Sequence, residues 1–178
     1  MIKRKKITKN LYLKEVSVKD VDYILKLRTD KSLSKYLNHT PKNKNKQIEW
    51  LNKYFVRRQK NEEFYLIFQI KKKKIYKNLG FARIIKLKDS TFHFGGWILQ
   101  KNTRPWIALE CCLSIYEYAF NYLNYKKCLL WINLKNLDVI KYHKSLGAKY
   151  VKKDKKEIYL KFNLNDYIKL KKKFKYYY

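Results

Sequence analysis

The stretch "KKCLLWINL" at residues 126–134 is apolar without alternation and lies between two segments of helical spacing. A strand of that kind is buried on both faces, so helices must cover the sheet it joins. Upstream, "EFYLIFQI", "NLGFARIIKL" and "STFHFGGWIL" read as successive strands, the first two joined across the lysine turn "KKKKIYK". An antiparallel meander followed by crossover units makes a mixed α/β layer fold.

The remaining elements follow from spacing and breakers. "LYLKEV" suggests a first strand, with Leu11, Leu13 and Val16 as its apolar positions. "SVKDVDYILKLRTD" opens on a capping serine, Ser17, and carries a stripe of Val21, Ile24, Leu25 and Leu27. Pro41 ends any continuous helix, and "NKQIEWLNKYFVRRQK" resumes helical spacing through Ile48, Leu51, Tyr54 and Phe55. Pro105 reads as the first residue of a helix over "TRPWIALECCLSIYEYAFNYL". "KEIYLKFNL" is a final strand. The order is β-α-α-β-β-β-α-β-α-β, an α/β (α+β) fold. Residues 1–10 read as a basic tail, 11–165 as one domain, and 166–178 as a basic, aromatic terminal tail. That last tail would be a partly ordered terminus, or would dock on the sheet edge, pair subunits or touch a membrane surface.

Charge bounds the partners. The 178 residues hold 44 Lys plus Arg against 14 Asp plus Glu, a net +30. Such a field attracts nucleic acid, anionic lipid or a phosphorylated small ligand. Heavy use of Lys, Ile, Asn and Tyr also fits an AT-rich coding bias, which makes many lysines solvated decoration. No helix-turn-helix, zinc finger or RNP signature focuses the charge, so nucleic acid is disfavoured as partner. No apolar run reaches membrane-span length and no signal-peptide core follows "MIKRKK", which points to the cytoplasm. Cys111, Cys112 and Cys128 lack metal-ligand spacing and read as buried thiols, with no metal expected.

Three places carry candidate chemistry. In "NLDVIKYHKSLG", Asn136 can cap a helix that Gly147 ends, which sets Asn136, Ile140, His143 and Gly147 on one face. Gly95–Gly96 interrupts a strand, as at a bulge or a bend under a bulky neighbour. Thr103-Arg104-Pro105-Trp106-Ile107-Ala108 opens a helix whose N–H groups can hold an anion, or is simply a Pro-initiated core helix.

The element order from Leu11 to Leu164, with Asn136, Val139, Ile140, His143, Leu146 and Gly147, resembles the GNAT superfamily of acyl-CoA-dependent N-acetyltransferases. His143 stands where the family usually has tyrosine and Ala148 where it has phenylalanine. Trp106 replaces the first glycine of the family's phosphate loop. "LRTDKSLSKYLNHT" with "KQIEWL" is similar to members that acetylate nucleotide-linked amino sugars, and more loosely to ribosomal-protein N-terminal acetyltransferases. The resemblance implies a mostly antiparallel sheet and acetyl-CoA as co-substrate. The implied coenzyme contacts are Trp97, Ile98 and Leu99 beside the pantetheine arm, Asn136 near the sulfur, and Arg104, Trp106, Ile107 and Ala108 at the pyrophosphate. The amides of residues 106 to 108, with Leu109 as a further candidate, would be the phosphate donors, and Lys101 and Arg104 would add charge.

The resemblance further implies direct attack by an amine in a ternary complex. His93 would take its proton, having an ordinary imidazole pKa near 6.5. His143, protonated, would donate to the departing sulfur, so activity would fall early on the alkaline side; Tyr142 is the fallback donor. Asn38, His39 and Thr40 would contact the acceptor, a small-molecule amine, with Trp50 and Arg28 as weaker candidates. Each of the histidines equally suits a packed or exposed structural role. Alternatives are a protein N-terminal acetyltransferase and a non-catalytic GNAT-like module that binds nucleic acid or a partner chain. A homo-oligomer is compatible with either.

Overall fold

The computed structural model describes residues 4–178. It contains one eight-stranded sheet with strand order β1-β2-β3-β4-β5-β6-β8-β7. In chain order the elements are β1 (Lys5–Lys6), β2 (Leu11–Glu15), α1 (Val21–Arg28), α2 (Lys44–Gln59), β3 (Glu63–Lys72), β4 (Ile75–Lys86) and β5 (Thr91–Leu99). Then follow α3 (Pro105–Glu117), β6 (Lys127–Asn133), α4 (Leu137–Ser145), β7 (Lys149–Lys153), β8 (Glu157–Asn163) and α5 (Leu164–Lys173). Among the described residues no helix is long and apolar enough to cross a membrane.

Strand β3 shows why the sheet is covered twice. Phe64, Leu66 and Phe68 enter one apolar cluster with Cys111, Cys112, Ile115 and Tyr116 of α3, whereas Tyr65 and Ile67 enter a second with Ile24, Leu51 and Tyr54 of α1 and α2. Successive residues of a strand face opposite sides, so a strand between two helical layers must be apolar at every position. Pro105 is the first residue of α3, as the sequence requires. Helix α3 is buried nearly all round from Glu110 to Glu117 and continues into a widened turn at Tyr118–Tyr122.

The described parts of both sequence tails turn out to be packed, residues 1–3 of the first lying outside the described residues. Lys5 and Lys6 pair with Leu13 and Tyr12, and Ile7 reaches the core. The tail read from residue 166 onward begins inside α5 (Leu164–Lys173), whose Tyr167 and Leu170 are buried in the first cluster. The Asn163 backbone N–H donates to the Asp166 carboxylate there (3.0 Å), half of a capping box and a local start signal that outweighs the lysines downstream. Strand β7 was also unanticipated: all five of its residues are exposed, so it has no alternation to read.

The N-terminal segment is tied to α3 by Glu110, which has no exposed surface. Its carboxylate accepts from the Thr8 hydroxyl (2.8 Å), the Asn10 backbone N–H (2.7 Å) and the Asn10 side-chain amide (3.0 Å). Glu110→Ala strands these donors, a loss of about 3 kcal/mol. Thermal denaturation should therefore show a fall of roughly 6–12 °C, with Glu110→Gln in between.

Candidate active site

Strands β5 and β6 are the only parallel neighbours in the described sheet, and they separate early. Thr91, Phe92 and His93 pair with Lys127, Cys128 and Leu129, after which the ladder stops while both strands continue. Strand β5 meanwhile bulges against β4. Arg83 pairs with Gly95 and Phe81 with Ile98, so Gly96 and Trp97 together oppose Ala82. Gly96 has φ +59°, the left-handed conformation that the bulge requires. The gap is a cleft of about 370 Å³, walled by residues 93 to 97 and 130 to 133 and closed by Asn136, Val139 and His143 of the α4 region.

His93 sits at the crotch. Its ring stacks on Trp131 at 3.3 Å with an interplanar angle of 4°, and its Nδ1 is 3.0 Å from the Leu129 carbonyl. A carbonyl only accepts, so Nδ1 carries the proton and Nε2 the lone pair. A Cβ on Gly95 would lie 2.1 Å from Nε2, so only glycine leaves room for this ring. Burial lowers the His93 pKa to about 4, against the opposing pull of the Leu129 carbonyl and with some help from Arg83. The expected base of ordinary pKa is therefore corrected: the ring is neutral at pH 7 and holds an added proton poorly.

His143 is 3 % exposed, yet it lines the cleft. Its ring stands edge-on to Phe94 and near Trp97, with Nδ1 3.3 Å from the Tyr116 hydroxyl. Burial lowers its pKa to about 4, so it too is neutral at pH 7. A neutral ring runs against the expected imidazolium donor and the alkaline fall in activity attached to it. Tyr142 packs beside Trp97 and is not part of the cleft lining; its hydroxyl and the Trp97 indole N–H are buried without partners.

The other coenzyme candidates separate. Trp97 lines the cleft, but Ile98 turns into the α1–α2 core and Leu99 packs against the α3-side core. Asn136 occupies the N-cap position without making the expected side-chain cap bond, and it lines the cleft. Arg104, Trp106 and Ile107 line a different cavity of about 590 Å³ with Lys26, Lys72 and Lys101. Ala108 sits half-buried in the first turn of α3. The N–H groups of Ile107 and Ala108 both go to the Arg104 carbonyl (2.9 and 3.0 Å). Pro105 has no N–H, so Trp106 alone keeps a first-turn donor without a backbone acceptor among the described residues. The three-amide phosphate cradle expected from the sequence is corrected to one. Lys101 is paired with Asp30 at 2.8 Å.

Asn38, His39 and Thr40 come together as the rim of a third cavity, about 310 Å³, with Arg28, Lys46, Gln47, Trp50, Tyr65 and Arg83. This cavity meets the cleft at Arg28, Asn38, Arg83 and Gly96, which line both. Arg28 holds the loop through Nε to Thr40 (2.9 Å) and Nη2 to the Asn38 carbonyl (2.8 Å). Sequence reasoning missed Arg83, Tyr65 and Trp131. Arg83 alone had a signal: an arginine in a chain that otherwise prefers lysine.

Comparison with known proteins agrees with this geometry. The family model for the acetyltransferase (GNAT) domain matches residues 10–149. No curated protein matches the sequence. Among solved structures, apo FdhC, a nucleotide-linked sugar GNAT, superposes with a TM-score of 0.84 at 25% identity over 94% of each chain. A spermidine N-acetyltransferase from Vibrio cholerae, in complex with CoA and spermine, gives 0.71 at 15% identity over 89% of this chain and 98% of the other. A domain from Methanocaldococcus jannaschii gives 0.70 at 18% over 88% and 99%. The last two show the fold alone. The chain belongs to the GNAT acetyltransferase family. It is an N-acetyltransferase, and enzymes of this family use acetyl-CoA.

The buried neutral histidines tie stability to pH. Each binds a proton near pH 6.5 when unfolded and only near pH 4 when folded, so stability is full above about 6.5 and drains as pH falls toward 4. The loss is on the order of 3 kcal/mol per ring by pH 4. Urea denaturation at pH 7 and 4.5 should show wild type losing more stability than His93→Gln or His143→Gln.

Proposed function

We propose that this enzyme moves the acetyl group of acetyl-CoA to the primary amine of a nucleotide-linked amino sugar, by direct attack in a ternary complex. The observation that carries the reading is the lining of the acceptor cavity. Arg28, Lys46 and Arg83 face it, and no aspartate or glutamate does among the described residues. A polyamine entering that space meets three cations, of which Arg83 alone is paired, with Glu63 outside the lining, whereas a diphosphate gains them. The same lining disfavours the lysine-rich N-termini of ribosomal proteins. Likeness to a nucleotide-linked sugar GNAT at 25% identity points the same way.

The cleft suits the coenzyme's arm. Trp97 offers an uncommitted indole N–H, and Asn136 a side chain free of cap bonding. The bound thioester supplies the activated acyl carbon. The acceptor nitrogen forms the new C–N bond to that carbon, the C–S bond breaks, and the ammonium proton must leave. Two guanidinium groups at the cavity junction favour the neutral amine by repelling its charged form. Water at the mouth can then take the proton, and His93 contributes a hydrogen-bond acceptor at Nε2. His143 and Trp97 serve as neutral donors to developing negative charge on oxygen or sulfur. The three cysteines are free and buried, which suits a cytoplasmic enzyme.

Thiol release from acetyl-CoA, followed across a panel of amines, tests the reading. Nucleotide diphosphate-linked amino sugars should exceed spermidine by about 100-fold in kcat/KM. Faster turnover of spermidine or of a peptide N-terminus would overturn it.

A further inference from the structure

The chain has only six arginines among its 44 basic residues. Where lysine is this freely used, an arginine marks a place at which a planar fork of donors matters. Arg28 and Arg83 face the acceptor cavity, and Arg57 lies behind them. Glu63, 2 % exposed, is shared between the Nε groups of Arg57 and Arg83. Two guanidinium groups therefore divide one carboxylate, and Arg28 has no carboxylate partner among the described residues.

The unused donors point to what is missing. Arg28 spends Nε and Nη2 on Thr40 and Asn38, and Arg83 spends only Nε, on Glu63. Among the described residues Arg28 Nη1 and both Nη groups of Arg83 make no hydrogen bond. Burial lowers the Arg28 pKa, opposed by Tyr65 and aided to a smaller extent by the neighbouring Arg83. The Arg83 stem runs against Gly96, where a Cβ would lie 3.2 Å from its Cδ, and its guanidinium is 5.0 Å from the Trp50 ring centroid. Such a pair is stabilised by an anion that accepts from both forks.

We propose that Arg28 and Arg83 form a two-pronged fork that grips an anionic group of the acceptor, phosphate or carboxylate, where the acceptor cavity opens into the β5–β6 cleft. The proposal deepens the acceptor reading above and rests on it for the source of the anion. Glu63 is a positioning residue, since it holds Arg83 by Nε and leaves the Nη pair free. Because the fork is next to the bulge, it selects amines carried a short distance from an anion.

Arg28→Lys and Arg83→Lys keep the charge and remove the fork, and Arg4→Lys at the far edge of the sheet serves as control. Calorimetry with inorganic pyrophosphate and with citrate reads anion binding directly, circular dichroism confirms folding, and kinetics compare a diphosphate-linked amino sugar with the free sugar. Each fork variant should weaken pyrophosphate binding about tenfold and raise KM for the linked sugar by a similar factor beyond any change for the free sugar. Tighter citrate binding, lost in the same variants, assigns a carboxylate-bearing acceptor. Unchanged affinity for both anions overturns the fork, as does an equal fall in kcat on charged and uncharged acceptors. A wild-type enzyme that binds pyrophosphate through the fork but acetylates no linked sugar refutes the sugar reading and leaves the fork standing. Turnover of linked sugars that the fork variants do not impair does the reverse.

Discussion

The site exists because a parallel ladder ends at Leu129. There the carbonyl of β6 accepts from the His93 imidazole, and the flat face of that imidazole lies on Trp131. With a ring wedged between them, β5 and β6 diverge beyond the third pair. Divergence opens the cleft, and the bulge at Gly96–Trp97 turns the β5 wall so that Arg83 and the loop at Asn38 reach its mouth. Both strands remain anchored on the α3 side through Phe92, Phe94, Cys128, Leu130 and Ile132, and β5 also through Ile98 on the α1–α2 side.

Electrostatics at this site is set by burial more than by the overall +30. The histidines that look like acid and base in the sequence are both held neutral by desolvation, although Glu157 lines the same cleft. The fixed charge is instead guanidinium, which stays cationic where imidazole cannot. In the proposed reading, a cavity of this sign recognises the part of the acceptor remote from the reacting amine and disfavours the ammonium form of that amine, so recognition and activation would share the same side chains.

Much of the architecture was legible because its segments have strong periodicity and clear breakers. Strands β2 to β5 and β8 and helices α1 to α4 follow the apolar spacing, and Pro105 marks its helix start, whereas β6, expected to be buried on both faces, alternates Cys128, Leu130 and Ile132 in the core with exposed or half-buried neighbours. Strand β7 was invisible because every residue of it faces solvent, and α5 was masked by its lysines despite the Asn163–Asp166 hydrogen bond. The loop at Asn38–Thr40 and the face bearing Asn136 and His143 were legible as places. Their chemistry was less so: protonation states depend on neighbours from α3 and β5 that no local spacing names. Arg83 and Trp131 lie in strands otherwise read for packing, and they meet the other groups only through the sheet order.

The central claim is that the splay beyond Leu129 receives the pantetheine arm of acetyl-CoA. Hydrogen–deuterium exchange on the free enzyme and on the enzyme saturated with coenzyme tests this most directly. Amides of residues 94 to 99 and 130 to 133 should exchange readily without coenzyme and slow markedly with it. Protection confined to the α3 start, with those two segments unchanged, would contradict the account.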